Sequence, residues 1–171
     1  MARLALLGNG AQDAFSRAFL ALTEKVRPCL YLHGQGYRCS PGAFLGDASP
    51  LIVCDCAPDR ISEIPFQITV LKDCFSGPVL GCEGPVLFNA DRAGAVSLPT
   101  NGVIPVSYGL SEKNSVTVSS LGTDCITVTV QRELTGLRGQ SIEPQDIVLK
   151  MQVEREELSP VIAAAIVLQL L

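Results

Sequence analysis

The sequence predicts an α/β domain: a three-layer sandwich on a mainly parallel sheet, with a small antiparallel extension near its end. Three observations predict it. Short, near-continuous apolar runs recur through the first 110 residues, as in parallel strands buried on both faces. The first run feeds a glycine turn and then a helical period, the opening of a βαβ unit. Beyond residue 113 the pattern becomes a polar–apolar alternation rich in Val and Thr, typical of antiparallel strands with one solvated face.

The elements follow in order. Residues 3–7 (RLALL) form the first strand, and Gly8-Asn9-Gly10 turns the chain. Residues 11–26 have helical spacing, with Ala11, Phe15, Ala18, Phe19 and Leu22 on one face. Strands are expected at 28–33, 50–55, 66–72, 85–90 and 103–109, and a Gly- and Ser-rich loop at 34–49. Residues 114–120 and 124–133 read as a hairpin about Leu121-Gly122-Thr123, and 145–153 as a third alternating strand. Glu156 and Glu157 then precede an apolar helix over 158–171, where the helix dipole favours acidic groups. Residues 1–171 read as one domain: a parallel core over 1–110, antiparallel strands over 111–155 and a closing helix over 156–171.

Composition bounds the function. The chain has 171 residues, 47% hydrophobic and 18% charged, which excludes disorder. The net charge is −4, without the basic excess expected of a nucleic-acid binder. One His, four Lys and no Trp leave few groups for acid–base or phosphate chemistry. Seven Cys at irregular spacing, with no CxxC pair, read as reduced thiols filling core positions in a cytoplasmic protein. The start lacks the long apolar core of a secretory signal, and the terminal apolar run is shorter than the ~20 residues of a spanning helix. A zinc site from Cys54, Cys56 and His33 has the wrong ligand spacing. A Cys–His nucleophile pair would need His33 beside Cys54 or Cys74, and nothing local marks either thiol as activated. Gly8-Asn9-Gly10 lacks the third glycine and the distal acid of a dinucleotide fingerprint. The turn nevertheless offers backbone N–H groups at a helix start, which suit an anion.

Residues 85–91 (PVLFNAD) and 103–110 (VIPVSYGL), followed by antiparallel strands and the Ala-rich segment 161–165, resemble the central domain of the Mur ligases. Those are ATP-dependent enzymes that add amino acids to peptidoglycan precursors. The resemblance implies a phosphate-binding loop after the first strand, in which a Lys reaches the phosphates and a hydroxyl holds Mg²⁺. The corresponding turn, Leu7-Gly8-Asn9-Gly10-Ala11-Gln12-Asp13, keeps glycines but has no Lys, and Asp13 places negative charge there. Asp55 or Asp59 stands where the family has a magnesium-holding Glu. Asn89 matches the family's Asn near adenine and Asp91 its acidic neighbour, while Arg92 replaces a second acid. The family's His residues after the next strand and at the last helix are absent from 72–77 and 156–159.

The resemblance therefore implies a ligand set of Gly8, Asn9, Gly10, Asp55, Asn89 and Asp91, with no catalytic residue and no metal ligand. ATP with magnesium is the one cofactor it leaves open. The first expectation is a non-catalytic Mur-ligase-related domain that binds a ligand or a protein, linked to cell-wall precursor metabolism. The alternatives are one subunit of a split ligase completed by a partner, and an oligomeric scaffold.

Overall fold

The computed structural model describes residues 1–8, 10–34, 36–41, 43, 49–57, 66–79, 82–92 and 96–171. Its elements are β1 (Arg3–Leu7), α1 (Ala14–Val26), β2 (Cys29–His33), β3 (Gly36–Cys39), β4 (Leu51–Cys56), β5 (Ile68–Leu71), β6 (Gly77–Pro78), β7 (Gly84–Asn89), β8 (Val96–Ser97), β9 (Val103–Gly109), β10 (Val116–Leu121), β11 (Ile126–Val130), β12 (Leu134–Thr135), β13 (Ser141–Ile142), β14 (Gln145–Leu149) and α2 (Leu158–Leu170). Ten strands form one mixed sheet in the order β14-β11-β10-β9-β7-β5-β1-β4-β2-β3. Its centre, from β2 to β10, is parallel. The predicted hairpin β10–β11 and its third strand β14 are antiparallel and extend the same sheet.

Alternation along β1 sorts the two faces. Leu4 and Leu6 join the core under both helices, with Phe15, Phe19 and Leu22 of α1 and most of α2. Ala5 and Leu7 point to the opposite face, where Phe66, Phe75, Val79 and Cys82 from connecting segments cover them. Both described helices thus lie on one face and pack against each other. Helix α2 is apolar almost all round because the sheet and α1 both cover it, leaving Leu168 and Gln169 half-buried. Thirteen residues long, it does not span a bilayer, and among the described residues no helix is long and apolar enough to do so.

The structure moves one boundary and adds two short strand pairings to the sequence expectation. Helix α1 starts at Ala14, because Asp13 caps it by accepting from Ser16 N. Ala11 therefore lies before the helix and is exposed. The segment expected to be loop over 34–49 contains β3, which pairs antiparallel with β2 at the sheet edge. Residues 134–144 contain the short pair β12–β13.

Candidate functional site

The parallel strands end along one crest of the sheet, and the polar groups collect there. Gly8 follows β1, Asp55 lies near the end of β4, and Lys72 directly follows β5. Strands β4 and β5 flank β1 on either side, so Asp55 and Lys72 converge on the glycine turn. The Lys72 ammonium donates to Gly10 O at 2.5 Å and to Asp13 Oδ2 at 3.2 Å. It also faces Asp55 Oδ1 at 2.5 Å as an ion pair, off the hydrogen-bonding direction. Both Lys72 and Asp55 side chains are 0% exposed in that pair. An ammonium has three donors, and here three oxygens surround it.

The other Asp55 oxygen is equally occupied. Oδ2 accepts from Tyr31 OH at 2.5 Å, Ser16 Oγ at 2.5 Å and Gln12 N at 3.0 Å. Burial, then the adjacent Asp55 carboxylate, push the Tyr31 phenol up, so it remains a donor. Gln12 has φ +60, a left-handed conformation uncommon outside glycine. Its N–H also meets Tyr31 OH at 3.1 Å, and its carbonyl accepts from Arg17 at 2.7 Å, which hold that conformation in place.

Asp13 is cap and counter-ion at once. Burial alone would raise its pKa, but the Ser16 amide, the Lys72 ammonium and the Ser16 hydroxyl outweigh burial and hold the carboxyl below the usual range. A carboxyl depressed in the fold stabilises above its unfolded value, about 3.9, and that contribution is lost as pH falls through the lower folded value. Asp13→Asn keeps a capping oxygen and removes the charge. Wild type is expected to exceed this variant in urea midpoint at neutral pH, with the gap closing below about pH 4. An unchanged gap in acid would show that the Lys72 pairing contributes nothing.

A second cluster lies beside the first on the crest. Ser159 Oγ, in the first turn of α2, donates to Asp73 Oδ1 at 2.6 Å. Asn89 Nδ2 donates to Asp73 Oδ1 at 3.1 Å and to Ser159 Oγ at 3.2 Å, and Tyr108 OH lies 3.2 Å from Ser159 Oγ. Arg92 reaches Asp73 at 3.6 Å. Asn89 Oδ1 accepts from Asp91 N at 3.0 Å, and Asp91 Oδ2 accepts from Leu110 N at 2.5 Å. Gly109 suits this position: its φ of +153 favours glycine, and a Cβ would stand 2.5 Å from that carboxylate oxygen and displace it. The cluster borders a cavity of about 210 Å³ that Arg155 and Ile162 also line.

The expected ligand residues thus fall into two groups. Gly8, Gly10 and Asp55 meet at the turn, and Asn89 and Asp91 meet at the second cluster. Asn9 and Asp59 lie outside the described residues. Reading along the chain missed Lys72, Asp73, Ser16, Tyr31 and Ser159. The available signal was Lys72 itself, a charge at the end of an otherwise apolar strand. His33 stacks on Tyr31, ring centroids 5.1 Å apart, with its ring against Gly36. Burial pushes the Cys29 thiol up to about 12 and raises Cys54 and Cys82. Those thiols are protonated at neutral pH and poor nucleophiles.

The fold and crest define a class: an α/β domain whose polar groups gather where parallel strands end, around a strand–glycine turn–helix unit. In particular, the domain is Mur-ligase-like. A UDP-N-acetylmuramoyl-L-alanyl-D-glutamate–2,6-diaminopimelate ligase superimposes over 99% of this chain with a TM-score of 0.62 at 10% identity. The MurF ligase from Thermotoga maritima, solved with ADP, superimposes over 98% with a TM-score of 0.50 at 11% identity. The likeness is one of fold. The match takes up 43% and 45% of those two chains, so this chain spans less than half their length. No family model and no curated protein matches the sequence.

Proposed function

We propose that this chain is a non-catalytic, cytoplasmic relative of the ligases that build cell-wall precursors, and that it acts by binding. Its glycine turn is a degenerate phosphate loop closed by the chain's own lysine. The observation that carries this reading is the Lys72 ammonium, buried among Gly10 O, Asp13 and Asp55. ATP and magnesium, which the Mur-ligase resemblance implies, do not fit that donor set. The carboxylate placed to hold a cation already holds an internal one. The one hydroxyl in the first turn of α1, that of Ser16, already donates to Asp55. Asp13 adds a carboxylate beside the helix start, where phosphate would be repelled.

Binding is then assigned to the cavity at Asn89 and Asp91. It is lined by carboxylates of Asp73, Asp91 and Glu156, by guanidiniums of Arg92 and Arg155, and by the apolar Leu158 and Ile162. A few convergent polar groups among apolar ones are the general character of small-ligand sites.

The test is turnover. Purified protein with ATP and magnesium is expected to release phosphate no faster than a protein-free blank. Release at about 1 s⁻¹ or above, the lower end of ordinary enzyme rates, and lost in Asp55→Asn, would overturn the reading.

A further inference from the structure

A groove of about 350 Å³ lies between the outer side of α1 and the β2–β3 hairpin, beside the glycine turn, from which Gln12 lines it. Arg17, Leu20, Ala21 and Glu24 line it from the helix, at the spacing that puts side chains on one stripe. Tyr31 and His33 line it from β2, their rings tilted by 31°. Arg38 closes it from β3, with its guanidinium carbon 6.0 Å from the Tyr31 ring centroid. The volume is within the range of small-ligand pockets.

The charges in this groove are unequal. Glu24 is held by Arg38 at 2.9 Å. Arg17 has five N–H donors, and the structure commits one nitrogen of them, to Gln12 O. Two guanidiniums against one carboxylate leave one net positive charge, which a monoanion neutralises and a dianion exceeds. Tyr31 is 3% exposed with its hydroxyl on Asp55, and the Gln12 side-chain amide lies against the ring nitrogens of His33, so the half-buried His33 supplies the ring surface of the groove. Ala21 is exposed and continues that surface, with Leu20 buried behind it.

We propose that this groove binds a small planar carboxylate. The carboxylate sits between Arg17 and Arg38, where a guanidinium fork matches its two oxygens. The ring lies over the exposed Ala21 and the half-buried His33. The site borders the Asp55 network through Gln12 and Tyr31 but uses neither the Lys72 side chain nor the Asn89 cavity, so its binding test is read independently of ATP turnover.

Naphthoate is the probe, titrated into the full chain by calorimetry, with naphthamide and naphthyl phosphate as comparisons. Saturable one-to-one binding of naphthoate is expected. Arg17→Gln should weaken it about tenfold or more, because a charge-assisted contact is lost. Ala21→Phe fills the groove from an exposed helix position and should abolish it while leaving the unfolding midpoint near wild type. Glu24→Gln releases Arg38 and should tighten binding several-fold, an effect that a merely structural ion pair would not produce. Absence of saturation at millimolar naphthoate would overturn the proposal. Naphthamide or naphthyl phosphate binding as tightly, or unchanged affinity in both Arg17→Gln and Ala21→Phe, would do the same.

Discussion

Replacing Lys72 with Met is expected to destabilise the fold by about 3–5 kcal/mol, the range for breaking a buried ion pair from one side. Methionine fills most of the same volume, so the loss is electrostatic rather than a cavity. The Asp55 carboxylate would stay buried beside an apolar side chain, with Asp13 nearby and Gly10 O deprived of its donor. For a domain of this size each kcal/mol shifts the melting temperature by about 2–4 °C, so a fall of roughly 10 °C is expected. The second variant isolates the cause. Asp55→Asn combined with Lys72→Met removes both charges, and the double variant should be more stable than Lys72→Met alone. Additive losses would mean that the pair does not couple, and a single-variant loss under about 1 kcal/mol would mean that the ammonium is not buried as described.

The turn was legible in the sequence because its parts are consecutive: an apolar strand, two glycines and an amphipathic helix. The lysine that fills it was not. Lys72 is 62 residues from Gly10 and 59 from Asp13, and only the placement of β5 beside β1 brings them together. Local reading assigns Asp13 a repulsive role toward phosphate, whereas its side chain first satisfies the amide of Ser16, a cap visible in the spacing Asp13-x-x-Ser16. Ser159 and Asp73 are 86 residues apart, and no local pattern links a serine in an apolar helix to a strand end. Strand β3 escaped for another reason. Gly36-Tyr37-Arg38-Cys39 is an edge strand with most of its side chains exposed, so it carries no apolar alternation to betray it. Burial on both faces made the central strands readable, and the same burial left their polar ends readable only in three dimensions.

Gly8→Ala is expected to cost about 1–3 kcal/mol, near the upper end, while Gly10→Ala should cost less than ~0.5 kcal/mol. A Cβ on Gly8 would lie 2.8 Å from Lys72 Cδ, 2.8 Å from Cys74 Sγ and 3.1 Å from Lys72 Cβ. Those atoms have little room to give. The Lys72 amide is tied to Leu7 O at 2.9 Å, its ammonium is tied at the turn, and Phe75 N closes the following bend onto Lys72 O at 2.9 Å. By contrast, a Cβ on Gly10 meets nothing within 4 Å. The asymmetry separates two explanations of one motif. A loop shaped for a phosphate has reason to keep side chains off both glycines, so that backbone N–H groups can approach the anion. A turn shaped around an internal lysine needs only Gly8. Unfolding midpoints of the two variants in urea therefore bear on function, and measuring Gly8→Ala again in the Lys72→Met background closes the argument. The thioether side chain has no ammonium anchor and can swing aside, so the cost of the added methyl should fall by about 0.5 kcal/mol or more. The same cost in both backgrounds would put the clash on Cys74 and the Cβ of residue 72, and remove Gly8 from the case for a lysine-filled turn.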